Sequence, residues 1–171
     1  MRRIRRADGP LYRNWLSDPA LAGWHGGDID PNAEFRRVLK SRYNFIIESE
    51  GQSVGHVAIE ADWERDTSAE LGILIDPSQQ RRGFGRRALS LALDFAFSEK
   101  RVHRVWAGVL GNNAPALRLF EAAGFVEEGR AREARREGDK WVDHVYFAML
   151  RREWALRVGA ARVAGDTVSF S

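Results

Sequence analysis

The sequence predicts a mixed α/β sandwich with a mostly antiparallel central sheet flanked by helices, and three observations predict it. Apolar, β-branched runs flank a turn signal at Glu50-Gly51-Gln52, the pattern of a hairpin, and a second turn signal at Glu137-Gly138-Asp139 precedes a strand from Trp141 to Leu150. Between them lies one strand–helix–strand unit, in which the apolar period changes from strand-like to helical and back. Hairpins around one such unit are neither an all-parallel sheet nor a pure barrel.

Each element follows from local chemistry. Pro10, Pro19 and Pro31 punctuate the first forty residues, leaving short helices over about 10–17 and 31–41 that lie over the core. Phe45-Ile46-Ile47 and Val54 to Ile59 form the first hairpin. Leu71 to Ile75 is a strand that stops at Asp76-Pro77, because proline cannot donate to a ladder. Ala88, Leu89, Ala92, Leu93, Phe95 and Ala96 then line one face of a helix over about 84–99. Val102 to Leu110 returns to strand character, and Asn113 caps a helix with Pro115 in its first turn that ends near Gly124. Phe125-Val126 and Trp141 to Leu150 supply the last strands, and residues past 151 are not assigned.

Composition bounds the function. A chain of 171 residues suits one domain spanning 1–171. With 44% hydrophobic and 30% charged residues it has material for a real core. The absence of cysteine excludes disulfides, thiolate metal sites and a covalent cysteine intermediate, so any acyl transfer is direct. There is no apolar segment after the N-terminal arginines and no window long enough to span a membrane, so no membrane partner and a cytoplasmic location are expected. A net charge of +3 is modest; Arg130, Arg132, Arg135 and Arg136 alternate with Glu133 and Glu137 as on a solvated edge, and nucleic acid is not the expected partner. Dimers being the commonest assembly, a homodimer is compatible with the sequence.

Gln80-Arg81-Arg82-Gly83-Phe84-Gly85 lies between a strand end and the first turn of the apolar-faced helix. Helix N-termini leave N–H groups unpaired and carry partial positive charge, so they bind phosphate oxygens. Gly83 and Gly85 let main chain approach an anion, and Arg81, Arg82, Arg86 and Arg87 can add charge-assisted hydrogen bonds, though some must point elsewhere. A glycine-softened loop with solvated arginines is the alternative. Neither GxGxxG nor GxxxxGK[ST] is present.

The hexapeptide resembles the Gln/Arg-x-x-Gly-x-Gly/Ala loop with which GNAT acetyltransferases hold the pyrophosphate of coenzyme A. Downstream, Asn113-Ala114-Pro115-Ala116-Leu117-Arg118-Leu119-Phe120-Glu121-Ala122-Ala123-Gly124-Phe125 is similar to that superfamily's Asn-x-x-Ala-x-x-Leu-Tyr-Glu-x-x-Gly-Phe segment. The resemblance covers about residues 43–150, and Glu128-Gly129 through Gly138, Asp143 and Tyr146 resembles the spermidine and ribosomal-protein N-terminal acetyltransferase branch. It implies a GNAT fold whose central strands splay into a V-shaped cleft, with acetyl-CoA as cosubstrate. It also implies main-chain contacts to pantetheine from Ile73, Leu74 and Ile75, and phosphate contacts from Gln80, Arg81, Arg82, Gly83, Phe84, Gly85 and Arg86. Asn113 would contact the pantetheine arm, with Ala116 and Phe120 flanking the thioester. The sequence departs from the pattern at Phe120, where many members carry a tyrosine proposed to protonate the leaving thiolate, and at Gly108, where some carry a glutamate base. Tyr146 or water would have to replace the acid.

The implied reaction needs a neutral amine. An alkyl amine of pKa ~10 costs roughly 4 kcal/mol to deprotonate at neutral pH, which suits a carboxylate base. Glu70 is the candidate, because it opens the strand expected to hold pantetheine and resembles a glutamate of polyamine-acetylating relatives; an edge-strand charge is the alternative. Glu60, Asp62 and Asp143 are weaker candidates. Trp15, Trp24 and Trp63 would either pack the core or wall the acceptor side, where Trp24 with Asp28 and Asp30 could receive a cationic amine. His25, His56, His103 and His144 lack metal-ligand spacing, so no metal is implied and each is expected to be structural or exposed. The expected activity is transfer of acetyl to a small-molecule or peptide amine. A coenzyme A-binding sensor or basic interaction module is the alternative.

Overall fold

Alternating apolar residues set the sheet in the computed structural model, which describes residues 1–21, 30–41, 43–61, 67–99 and 102–163. The strands are β1 Arg2–Arg3, β2 Asn44–Ser49, β3 Gln52–Glu60, β4 Ser68–Ile75, β5 Arg104–Leu110, β6 Val126–Glu137 and β7 Lys140–Leu150. They form a seven-stranded sheet in the order β1-β2-β3-β4-β5-β7-β6. Only β4 and β5 run parallel; every other neighbouring pair is antiparallel. The mixed, mostly antiparallel α/β class is therefore present.

The helices are α1 Gly9–Ser17, α2 Pro31–Lys40, α3 Phe84–Asp94, α4 Ala114–Ala123 and α5 Arg151–Val163. The expected helix over 84–99 is real, but its last turn, Phe95–Glu99, is a π turn. Apolar spacing cannot distinguish the two, since both keep Ala92, Ala96 and Phe97 on the buried side. α5 occupies the segment that the sequence left unassigned.

Each face of the sheet carries its own core. Val57, Ile59, Leu71, Val105, Ala107 and Phe147 turn toward α3 and α4 and pack with Ala88, Leu89, Ala92 and Phe120. Ile46 and Leu74 turn the other way and pack with Tyr12, Trp15, Phe35 and Val38 of α1 and α2. The first hairpin closes through Glu50 and Gly51 at φ 51° and 76°, the positive-φ pair that favours asparagine or glycine in a two-residue turn.

The feature that positions the site is a short parallel ladder. β4 and β5 are in register only at Ser68↔Arg104, Ala69↔Val105 and Glu70↔Trp106. Beyond Glu70 they separate, while β4 stays paired to β3 as far as Ile75 and β5 to β7 as far as Leu110. The V-shaped splay thus begins at Glu70. The charged run at 130–136 lies in edge strand β6, mostly exposed and bulged twice against β7, a form that blunts an edge against further pairing.

Candidate active site

Two cavities meet in the split. The larger, of about 1730 Å³, runs from the tip of β4 over the start of α3 and along α4; it exceeds the ~300–1,000 Å³ of drug-sized sites. Ile73, Leu74, Ile75, Gln80, Arg81, Gly83, Phe84, Gly85, Arg86, Asn113 and Ala116 all border it. The sequence-expected cofactor residues are therefore brought together along one groove, with two departures described below. On its β5 side, β4 has no strand partner past Glu70, so main-chain groups there are open to an extended ligand.

Gly83 is the N-cap of α3 at φ 80°, and no side chain caps the helix. The first N–H groups of α3 have no partner within the helix, so the mouth offers free donors and partial positive charge that suit an anion. A Cβ at Gly83 would meet no atom within 4 Å; conformation, not crowding, demands glycine there. Gly85 is different. A methyl group on it would make ordinary contacts with Leu119 and Ile75, so its bare surface is not required by packing within the protein.

Among the arginines, Arg81 and Arg86 border the groove, joined by Arg118 of α4 and Arg136 at the tip of the β6–β7 hairpin. Arg82 does not border it: its guanidinium bonds to the Gln79 side chain and stands over the Phe84 ring, 5.1 Å from the centroid. The ring and amide compete successfully for that cation. Phe120 is the second departure. It is buried between Phe125 and Phe147 and borders the smaller cavity rather than the groove.

Asn113 caps α4, its Oδ1 accepting from the Ala116 N–H at 3.2 Å, and it borders both cavities. Asp76 fixes the other end of the groove. It accepts from the Trp15 indole N–H at 2.8 Å and from the Ser78 N–H at 2.9 Å and hydroxyl at 2.6 Å. Trp15 is thereby a buried tie between α1 and the end of β4, not a wall of the acceptor side. Trp24, Trp63, Asp28, Asp62 and His25 lie outside the described residues.

The smaller cavity, about 400 Å³, opens on the α2 side of the split. Glu34, Arg37, His56, Glu60, Glu70, Arg135 and His144 supply its ionisable border. Arg37 donates to both Glu60 oxygens at 2.8 Å and to Glu34 at 2.7 and 2.8 Å. Glu60 and Glu70 face each other across β3 and β4. Because Arg37 holds Glu34 and Glu60, Glu70 is the cavity carboxylate without an ion pair among the described residues. The surrounding protein, and then the Glu60 charge, raise the Glu70 pKa above the usual carboxylate range. Glu60 is committed to structure, and Asp143 accepts from the Glu133 N–H at 3.0 Å and lies 3.6 Å from Arg130, away from both cavities.

Sequence reasoning missed Arg37, Arg135 and His144 here, and Arg118 and Arg136 in the groove. Only Arg118 lies inside a recognisable segment; the others reach the site by strand register and helix packing. Tyr146, considered as a replacement acid, borders neither cavity, its ring packing edge-on against His144.

A parallel pair that opens beside an uncapped, glycine-led helix mouth places the site in the class of mixed α/β folds with a split central sheet. The chain belongs to the GNAT acetyltransferase family, whose domain matches residues 1–126. It is 41% identical over 121 residues to a spermidine N(1)-acetyltransferase of Vibrio cholerae, covering 67% of this chain and 65% of that one. It is 27% identical over 113 residues to an uncharacterised N-acetyltransferase of Bacillus subtilis, covering 66% of each. The chain thus spans about two thirds of the length of these curated relatives. In fold it resembles the crystal structure of a Vibrio cholerae spermidine N-acetyltransferase in complex with CoA and spermine, with a TM-score of 0.80 at 23% identity over 90% of this chain and 96% of that one. No helix among the described residues is long and apolar enough to cross a membrane.

Proposed function

We propose that the chain is one acetyltransferase domain that moves an acetyl group from acetyl-CoA directly to a primary amine. The observation that carries this reading is that the two cavities share Ile73, Asn113 and Ala116, so a thioester laid along the groove ends where an amine from the smaller cavity arrives.

The groove fits coenzyme A on its own features: the helix mouth and Arg81, Arg86, Arg118 and Arg136 suit phosphates, and the open edge of β4 suits the pantetheine amides. Acetyl-CoA, when bound, supplies an activated acyl carbonyl. The chain's residues do the rest. Main-chain N–H groups near Leu74 face developing negative charge on that carbonyl, a contribution of several kcal/mol when pre-aligned. Glu70 takes a proton from the incoming ammonium, and its raised pKa brings it nearer the pH at which a base works best. Phe120 can give no proton, so the departing thiolate, of pKa ~8.5, is protonated from water. Glu34, Glu60 and Glu70 favour a cationic acceptor, and the named activity of the spermidine-acetylating relatives supports an amine of polyamine type.

The test is thiol release from acetyl-CoA with spermidine, free amino acids and a peptide with a free N-terminus. Amine-dependent release is expected. The second reading, a coenzyme A-binding sensor, is favoured by Phe120 and by the glycine at 108. It would show saturable acetyl-CoA uptake with no release above background.

A further inference from the structure

Gly108 lies on β5 just past the point where the split opens, and directly opposite Tyr146 of β7. A methyl group placed on Gly108 would stand 2.6 Å from both Cε1 and Nε2 of His144. The Cε1–Nε2 edge of the imidazole therefore occupies the space that a side chain at 108 would fill, and any larger residue must displace it. The Tyr146 ring supports it from the side, at a centroid distance of 4.8 Å and 73°. From this seat His144 borders the same cavity as Glu70. Register and alternation put Glu70, Gly108 and His144 on one face of the sheet.

We propose that His144, seated by Gly108, is a proton acceptor for the amine during acetyl transfer, acting from the β7 wall of the acceptor cavity while Glu70 acts from the β4 wall. This deepens the acetyltransferase reading and rests on it. An amine that arrives as an ammonium must lose two protons. One leaves to Glu70 and solvent before attack. As the nitrogen–carbon bond forms and the carbon–sulfur bond breaks, the electron pair departs on sulfur and His144 takes the second proton. That proton returns through water to the thiolate.

The titratable and charged groups that border the cavity with the imidazole come from each packed element, Glu34 and Arg37 of α2, His56 and Glu60 of β3, Glu70 of β4 and Arg135 of β6, while Tyr146 on its own strand packs against the ring. Burial first, and the Arg135 charge second, hold the His144 pKa below 6.5. The ring is thus neutral and able to accept a proton at pH 7.

The test compares wild type, His144→Gln, Gly108→Ala and the double variant, with acetyl-CoA and whichever panel amine wild type acetylates best. His144→Gln should lower kcat/KM for the amine about 100-fold near neutrality, leave acetyl-CoA affinity within about twofold, and remove the acid limb of the pH profile. Gly108→Ala should mimic it by expelling the ring, and the double variant should be no worse than His144→Gln. A readout without turnover is the ring-proton NMR titration, assigned by its loss in His144→Gln. The wild-type ring should titrate below 6.5, and that of Gly108→Ala back near about 6.5. An active wild type whose rate and pH profile survive His144→Gln overturns the proposal while leaving acetyltransfer standing. A wild type that releases no thiol with any panel amine overturns both.

Discussion

Two runs of neighbours in sequence, 79–86 and 112–119, supply about half of the groove's border, with short runs at 16–19, 73–75 and 136–138 adding most of the rest, whereas the acceptor cavity draws its border from seven elements, α2, β3, β4, β5, α4, β6 and β7. A site built from consecutive residues leaves a local signature: glycine where φ must be positive, an Asn-Pro helix start, arginines beside them. A site built across seven elements leaves none, because strand register and helix docking decide which side chains meet. The two halves should therefore fail in different ways when perturbed.

The largest difference concerns acid. His56, a fully buried member of the acceptor wall, donates from Nε2 to Asn44 Oδ1 at 2.9 Å. Burial, and then the Arg37 charge, push its pKa down to about 3. The unfolded chain binds that proton near 6.5 and the folded one only near 3, so stability is intact above about 6.5 and falls as pH drops through this window, by roughly 5 kcal/mol in all. Urea unfolding at pH 7, 5.5 and 4 measures the slope. A flat profile would mean that the acceptor wall carries no such strain.

Gly83→Glu attacks the groove alone. A side chain at φ 80° costs about 1–2 kcal/mol, and a carboxylate at a helix mouth replaces attraction for phosphate by repulsion. Acetyl-CoA affinity should fall by about 10³-fold, with the acceptor cavity unchanged. Calorimetric titration reads it, and unchanged affinity would break the assignment of the groove.

Glu70→Gln attacks the cavity alone. Turnover should fall about 100-fold at neutral pH and recover in part at higher pH, where more amine is already neutral, with acetyl-CoA affinity preserved. A flat pH response in the variant would remove Glu70 from the chemistry. The smallest effect belongs to the tie between α1 and the end of β4: Trp15→Phe loses the bond to Asp76 and should cost about 1 kcal/mol of stability with the amine KM unmoved. A raised amine KM would return Trp15 to the acceptor wall.

The same contrast explains what could be read from sequence. Ala88, Leu89, Ala92 and Leu93 gave away α3, and Asp76-Pro77 the end of β4, because burial period and proline stereochemistry are local. The π turn at 95–99, the tie of Trp15 to Asp76 and the outward turn of Arg82 onto Phe84 depend on partners that spacing does not reveal. Strand β6, Val126–Glu137, has the composition of a solvated run and is a strand because β7 pairs with it. Gly108 reads in sequence as a lost carboxylate; only the register of β5 with β7 shows an imidazole lying over it.

The central claim is that the mouth of α3 takes a diphosphate and thereby sets a thioester in the split between β4 and β5. A crystal structure of the chain with acetyl-CoA tests it most directly. The pyrophosphate should sit within hydrogen-bonding distance of the main-chain N–H groups of 83–86, and the acetyl carbonyl between Ile73 and Asn113. A diphosphate bound elsewhere, or an acetyl group out of reach of the cavity bordered by Glu70 and His144, would contradict it.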